Sequence, residues 1–312
     1  MRYPSVDVII PTYKPDHTFS VLLKRLSEQN YPITNILIIN TDEKLWNPDL
    51  IKGIPGVEVF HIEKKNFDHG ATRNMGAGFS TSDFIIFMTQ DALPANRSLI
   101  ANLIAPFEDP DVKVSYARQL PRKDCRIIEG YIRNFNYPRE SRIKSEEDID
   151  ELGIKAFFCS DVCACYDREF HREMGGFVEP CIFNEDMIFA SETLREGYCI
   201  AYAADAKVIH SHNYTCMQQF HRNFDNGVSQ TMHPEVFASV RSEGEGVRMI
   251  KKTAAYLNDV GRSYLIPTLI IQSAFKYAGF KAGKMYRSLP RNIIRKCSLN
   301  KDFWSYSNIE DD

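Results

Sequence analysis

Four sets of polar residues in this 312-residue chain stand where short β-branched apolar runs end. Pro11-Thr12-Tyr13-Lys14 follows Val6–Ile10, Asn40-Thr41-Asp42 follows Ile36–Ile39, Asp68-His69-Gly70-Ala71-Thr72-Arg73-Asn74 follows Val57–Ile62, and Thr89-Gln90-Asp91 follows Phe84–Met88. In an open α/β sheet ligands bind beyond the carboxyl ends of the strands, so these positions are the first place to look for chemistry. Asp91 is the candidate for a hard divalent cation, which would neutralise a pyrophosphate as a bond to it breaks; a turn or helix cap is the other use of such an aspartate. His210-Ser211-His212 places two imidazoles on one face of an extended segment, a spacing that fits ligation of the same cation, although either histidine alone would more commonly be structural. Asn184-Glu185-Asp186 puts paired carboxylates at a helix start. There they compensate the helix dipole, or, if the helix abuts the ligand edge of the sheet, one of them serves as general base to an acceptor hydroxyl. Cys163-Ala164-Cys165 has the spacing of the histidine pair but lies in an apolar strand pattern and reads as core, which also disfavours a zinc site built from both pairs. No GxGxxG follows a strand and no GxxxxGK[ST] occurs, so phosphate must be handled in another way.

The elements that must position these residues are strands alternating with helices, which imply an α/β fold with a mostly parallel sheet. Val112–Tyr116 continues the strand series. Phe19, Val21, Leu22, Leu23 and Leu26 give the first helix its apolar face, Gln29-Asn30-Tyr31-Pro32 ends it, and a second helix over 70–80 is entered through Gly70. After Pro121 the pattern is irregular, with a charged loop at Lys144–Glu151. Phe157–Tyr166 then alternates as a strand, Glu185–Glu196 is a helix closed by Gly197, and Cys199–Ala203 and Lys207–His210 are two short strands. From Tyr214 onward only helical segments follow. The expected division is a catalytic unit over 1–230, its nucleotide half about 1–120 and its acceptor half about 121–230, with a helical basic appendage over 231–312.

The formal charge of −3 gives no general pull toward nucleic acid. Its distribution is uneven: 276–301 carries eight basic residues and no acidic one. That run follows Tyr264–Ile271, an apolar stretch too short to span a bilayer. An in-plane anchor on anionic lipid fits it, as does a helical cap on the catalytic unit or a surface for a second copy of the chain. Eight cysteines in no metal or disulfide spacing, an opening strand where a signal peptide would stand, and no spanning run lead to the expectation of a protein with reduced thiols that is cytosolic or attached to a membrane surface from the cytosolic side.

VIIPTYK, RLSEQNYPITNILIIN, HGATRNMGAGFSTSDFIIFMTQDA and MGGFVEPCIFNEDMIFASETLREGY, in this order, resemble the family 2 glycosyltransferases, whose fold is the Rossmann-like GT-A sheet. The resemblance covers about residues 5–230. FDHGATRN, MTQDALP, ARQLP, FNYP and VIHSHNYT are similar to the rhamnosyltransferase branch, which uses dTDP-β-L-rhamnose to build bacterial surface polysaccharide. It implies an inverting enzyme, a nucleotide-sugar donor, a saccharide acceptor that is lipid-linked, and Mg²⁺ or Mn²⁺. It also implies roles: Pro11, Thr12, Tyr13, His69, Gly70 and Gln90 along the nucleotide-sugar site, Arg73 and Asn74 on the sugar-phosphate side, and Asp91 with His210 or His212 on the metal. Asp186 would be the base, with Glu185 orienting hydroxyls beside it. Two departures stand out. Thr89-Gln90-Asp91 replaces the family's Asp-x-Asp, and Asn40-Thr41-Asp42 replaces its consecutive aspartates, leaving base recognition between Thr41 and Asp42. A UDP-hexose transferase of the same fold and a catalytically silent binding module are the competing readings, the second favoured by Thr89 and opposed by Asp186 and the histidines.

Overall fold

The computed structural model describes residues 3–238, 240 and 244–306. Its strands are β1 (Val6–Tyr13), β2 (Asn35–Thr41), β3 (Val57–Ile62), β4 (Phe84–Met88), β5 (Leu93–Pro94), β6 (Val112–Leu120), β7 (Arg142–Lys144), β8 (Cys163–Asp167) and β9 (Cys199–Ile209). The helices of the sheet-forming part are α1 (His17–Ser27), α2 (His69–Phe79), α3 (Leu99–Ile104), α4 (Ile127–Asn136), α5 (Ile149–Leu152), α6 (Arg168–Glu173) and α7 (Glu185–Arg195). Beyond them come α8 (Cys216–Met232), α9 (Pro234–Phe237), α10 (Glu245–Asp259), α11 (Ile266–Lys284), α12 (Arg291–Cys297) and α13 (Phe303–Tyr306). The strands form one mostly parallel sheet in the order β3-β2-β1-β4-β8-β6-β9-β5, with β7 added on β9.

Burial follows the two-residue period of each strand. Val6, Val8 and Ile10 of β1 face one core with α1 and α3, whereas Ile9 faces a second core that holds Phe177, Ile188 and Phe189. Covered on both faces, β1 is a continuous apolar run, as parallel strands are. Cys163 and Cys165 of β8 lie fully buried in the first core, and Ala164 and Tyr166 in the second.

The direction of β8 matters for the site. It pairs antiparallel with both β4 and β6, while β1, β2, β3 and β4 are mutually parallel and β6 runs parallel to β9. The carboxyl ends of the parallel strands therefore share a rim with the start of β8. At that rim β5 pairs antiparallel with the end of β9, Leu93 opposite Ile209, which brings the segment after β4 against the residues after β9.

Three sequence expectations change. Phe157–Tyr166 is a strand only from Cys163, because Ala156, Phe157 and Cys159 are buried against the core and not paired in the sheet. Cys199–Ala203 and Lys207–His210 are one strand interrupted by a bulge: β6 steps from Ala117 to Arg118 while β9 steps from Ala203 to Lys207. The charged stretch at Lys144–Glu151 is ordered. Lys144 ends β7 with its amine donating to Phe158 O at 2.6 Å, and Ser145 with Asp148 forms a reciprocal cap on the turn that follows.

The helical part joins the rest through α8, which runs on to Met232 across the expected boundary at 230. α11 lies against α8 at backbone distance. A Cβ on Gly279 would stand 2.2 Å from Phe220 O and one on Gly283 would stand 2.1 Å from Phe224 O, so only glycine fits at either position. No helix among the described residues is long and apolar enough to cross a membrane.

Candidate active site

The two histidines lie just past the end of β9, and Asp91 comes to them through the β5–β9 pairing. His210 Nε2 and His212 Nε2 are 3.0 Å apart, and Asp91 Oδ2 is 3.6 Å from the first and 3.3 Å from the second. Cis ligands of an octahedral ion with bonds of about 2.1 Å stand roughly 3 Å apart, so the three atoms have the spacing of a divalent-cation ligand set. They are the one group of three or more acidic, histidine or cysteine side chains among the described residues arranged to hold a metal ion.

The protonation pattern agrees with ligation. Gln119, at the end of β6, donates through Nε2 to Tyr137 OH and to Ser160 Oγ at 3.0 Å, which leaves its Oε1 as an acceptor. That oxygen takes a hydrogen bond from Arg133 and lies 3.0 Å from His210 Nδ1. An acceptor there requires the proton on Nδ1, so Nε2 presents a lone pair toward Asp91. Burial pushes His210 down to about 3 against the opposing pull of Asp91, and burial likewise lowers His212. Both imidazoles are thus neutral at pH 7, and their contacts with Asp91 are not ion pairs.

A second cluster centres on Arg73 of α2, which is 6% exposed. Its Nε is 3.1 Å from Asp161 Oδ2 and its Nη1 3.1 Å from Glu185 Oε1. Asp161 also accepts from Tyr166 OH at 2.7 Å, and its own backbone N–H donates to Asp186 Oδ2 at 3.1 Å. Three carboxylates around one guanidinium cannot all ionise freely. Burial works against ionisation of Glu185, but Arg73 and His69 outweigh it and hold its carboxyl below the usual range. Asp161 is raised to about 7 by burial, with Arg73 opposing. Asp186 is raised well above the ordinary range by burial and by the charges of Glu185 and Asp161. Glu185 is sealed at 6% exposure, whereas Asp186 is partly open. Of the three carboxylates, only that of Asp186 is not buried.

Local backbone sets this arrangement. Asn184 adopts a left-handed φ of 68° before α7, a conformation that Asn tolerates, and its amide is fixed by Asn226 Oδ1 at 2.9 Å and Ser229 Oγ at 3.1 Å. Asp68 caps α2 by accepting from Gly70 and Ala71, and its other oxygen accepts from Cys181 N at 2.7 Å. The loop carrying the carboxylates is thereby fastened to α2. Gly70 serves the same joint, since a Cβ there would stand 2.2 Å from Val178 O.

The remaining candidates fall in different places. Tyr13, Thr41 and His69 line a cavity of about 500 Å³ that also takes in Lys64, Phe67 and Arg222. Thr12 donates to Asn40 Oδ1 at 3.1 Å beneath it. Pro11 lies within β1, half-buried. Gln90 pairs its amide with both backbone groups of Tyr13, at 2.8 and 3.1 Å, and so fixes the end of β1. Asp42 has a φ of 68° and caps the turn after β2. Asn74 uses its amide on Phe177 and Glu179, which gives it a bracing contact with the carboxylate loop and not a free face toward a sugar phosphate.

Sequence reading passed over Asp161, Gln119 and Arg222. Asp161 precedes β8, and because β8 is antiparallel its start, not its end, meets the rim; a search of strand ends misses it. Gln119 lies within a strand that runs longer than its apolar core. Arg222, on α8, stacks 4.7 Å over Phe183 and 6.0 Å over Tyr214, and its charge bears on His69 and Glu185 as well as on His210 and His212.

The sequence profile described as glycosyl transferase family 2 matches residues 7–175. O-antigen chain rhamnosyltransferase RfbN of Salmonella typhimurium is 36% identical over 302 residues, covering 96% of both chains. O-antigen chain rhamnosyltransferase WbaN of Salmonella anatum is 35% identical over 308 residues, covering 97% of this chain and 96% of that one. Among solved structures, the mannosyltransferase PcManGT of Pyrobaculum calidifontis, in complex with GDP-Man and Mn²⁺, superposes with a TM-score of 0.56 at 14% identity over 99% of this chain and 87% of that one. TarS of S. aureus (residues 1–349, with UDP-GlcNAc) superposes with a TM-score of 0.52 at 14% identity, over 91% and 92%. These two share the fold, a GT-A-like sheet flanked by helices.

Proposed function

The chain belongs to glycosyl transferase family 2 and is a glycosyltransferase, and from that premise we propose that it transfers L-rhamnose, with inversion, from dTDP-β-L-rhamnose to a hydroxyl of a lipid-linked saccharide in bacterial surface polysaccharide synthesis. The donor class draws on the two rhamnosyltransferase relatives, which match nearly end to end. The observation that carries the chemistry is a hydrogen-bonded path: His210 to Gln119, Gln119 to Ser160, and the adjoining Asp161 N–H to Asp186. It supports a single cleft in which the cation ligands and the partly open carboxylate serve one reaction.

In that reading Asp186 takes the proton of the acceptor hydroxyl, the oxygen attacks C1 of the sugar, the C1–phosphate oxygen bond breaks, and dTDP departs. Attack opposite the leaving group turns a β-linked donor into an α-L-rhamnoside. Asp91, His210 and His212 are the ligands for Mg²⁺ or Mn²⁺, which when bound supplies Lewis-acid stabilisation of the departing diphosphate. Arg222 adds a fixed cation facing the same charge. Glu185, sealed and ionised against Arg73, sets the charge environment of Asp186, and Tyr13 and Thr41 hold the nucleotide. Residues 1–230 are the proposed catalytic unit, 1–120 its nucleotide half and 121–230 its acceptor half.

A lipid-linked acceptor brings the enzyme to a membrane surface, and α11 supports this. Ile270, Ile271 and Tyr277 on its outer side are more than half exposed, and the basic run follows at Lys281, Lys284 and Arg287. The test of the donor and outcome is to incubate the protein with dTDP-β-L-rhamnose or UDP-glucose and a lipid-linked saccharide extract, then read the product's anomeric coupling by NMR. An α-L-rhamnoside formed only from the first donor is the expected product; transfer from UDP-glucose alone, or a retained configuration, would overturn the proposal.

A further inference from the structure

The cavity beside Tyr13 and Thr41 is also lined by four consecutive residues from late in the chain, Leu299–Asp302. Nothing in the matched family profile, which ends at residue 175, covers them. They are held from beneath. Asp225 of α8 accepts from Leu299 N at 2.9 Å and from Asn300 N at 3.2 Å through one oxygen, and His221 Nδ1 donates to Cys297 O at 2.7 Å. Just beyond, Phe303 and Trp304 are buried with Phe224 and Tyr286. Across the opening Asp302 meets Lys64, in the loop after β3, at 2.8 Å. Both side chains of that pair are about half exposed, so it guides the segment while Asp225 and the aromatic pair anchor it.

Three buried polar atoms without a partner belong to residues that line this cavity: Thr41 Oγ1, Asp225 Oδ1 and Asn300 Nδ2. The Asn300 amide is oriented by Phe303 N, which donates to its Oδ1 at 3.3 Å, so the free atom is the donor. Buried polar groups left unmet carry a desolvation penalty that a complementary ligand relieves. The walls also offer the rings of Tyr13 and Phe67, against which a planar base stacks. A free N–H donor, a hydroxyl and aromatic walls match a pyrimidine bearing ring carbonyls, whose edge alternates acceptor, donor and acceptor. We propose that Leu299–Asp302 is the base-reading wall of the nucleotide site, with Asn300 donating to the 4-carbonyl of the base, where cytosine carries an amino group, and thereby selecting thymine or uracil over cytosine. This inference rests on the reading of the cavity as the donor nucleotide site.

The experiment is isothermal titration of the full chain, in Mn²⁺, with dTDP, dCDP and inorganic pyrophosphate, comparing the wild type with Asn300→Asp and Asn300→Ala. Asn300→Asp keeps the shape but turns a donor toward carbonyl into an acceptor that suits the amino group of cytosine. Its dTDP affinity should fall about ten- to a hundred-fold while pyrophosphate binding holds, and the preference for dTDP over dCDP should collapse or reverse. Asn300→Ala, which removes the amide without adding charge, should lose the preference without reversing it. If both variants keep the wild-type dTDP affinity and preference, this inference fails while the donor-site reading stands. If the wild type binds pyrophosphate but discriminates against no nucleotide, the cavity is not a base site and both readings fall together.

Discussion

At Asp186 the chemistry turns on a proton. Burial, then the neighbouring charges of Glu185 and Asp161, raise its carboxyl, so the group stays protonated into a range where ordinary aspartates are ionised. A base must be unprotonated to act, so kcat/KM should fall as pH drops through this raised pKa and level off above it. The profile of Asp186→Asn should lack that acid limb and lie roughly a hundred- to ten-thousand-fold lower, with dTDP affinity retained; near-normal turnover in this variant would remove Asp186 from the mechanism. At His210 the corresponding test lies in its hydrogen-bond partner. Gln119→Leu removes the acceptor that fixes the imidazole tautomer, so Mn²⁺ affinity measured by titration should weaken by about ten- to a hundred-fold. Equal affinity would mean the tautomer is set elsewhere. Asp91, Asp186, His210 and His212 were legible as residues because each follows or opens a recognisable element. Asn74 and Gln90 read as contacts to the nucleotide sugar, and their bracing contacts with Phe177 and Tyr13 depend on loops that no spacing rule brings together.

Among the elements, β8 and α11 show where local pattern ends. The parallel strands could be read from their apolar runs, and with them the rim of the sheet. The reversal of β8 could not, because side-chain alternation is the same in either direction. Asp161, which completes the charge cluster around Arg73, was hidden by that symmetry. The joint between α8 and α11 was equally hidden, since glycines in a helix weaken its propensity without announcing what approaches them. Gly283→Ala places a methyl against Phe224 O, and overpacking of this kind should cost about 1–3 kcal/mol in denaturant titration. A variant as stable as the wild type would mean that α11 is not locked to α8. Liposome flotation addresses the other side of α11. The exposed apolar and basic residues should bring the protein up with anionic vesicles and less so at high salt, and no flotation would leave the outer face of α11 without a lipid partner.

For the whole molecule, the order of motifs identified the sheet and the family, but the appendage looked separate. In the structure Leu299–Asp302 of that appendage line the same cavity as Tyr13 and Thr41 from the first strands. Such long-range convergence leaves no trace in composition, charge or periodicity. In the proposed reaction Asp91, His210 and His212 hold a divalent ion against the diphosphate of the donor. Electron–nuclear double resonance of Mn²⁺ bound with dTDP tests it most directly. The expected spectrum shows hyperfine couplings from two imidazole nitrogens together with phosphorus couplings from the nucleotide, whereas Mn²⁺ coupled to phosphorus with no nitrogen would contradict it.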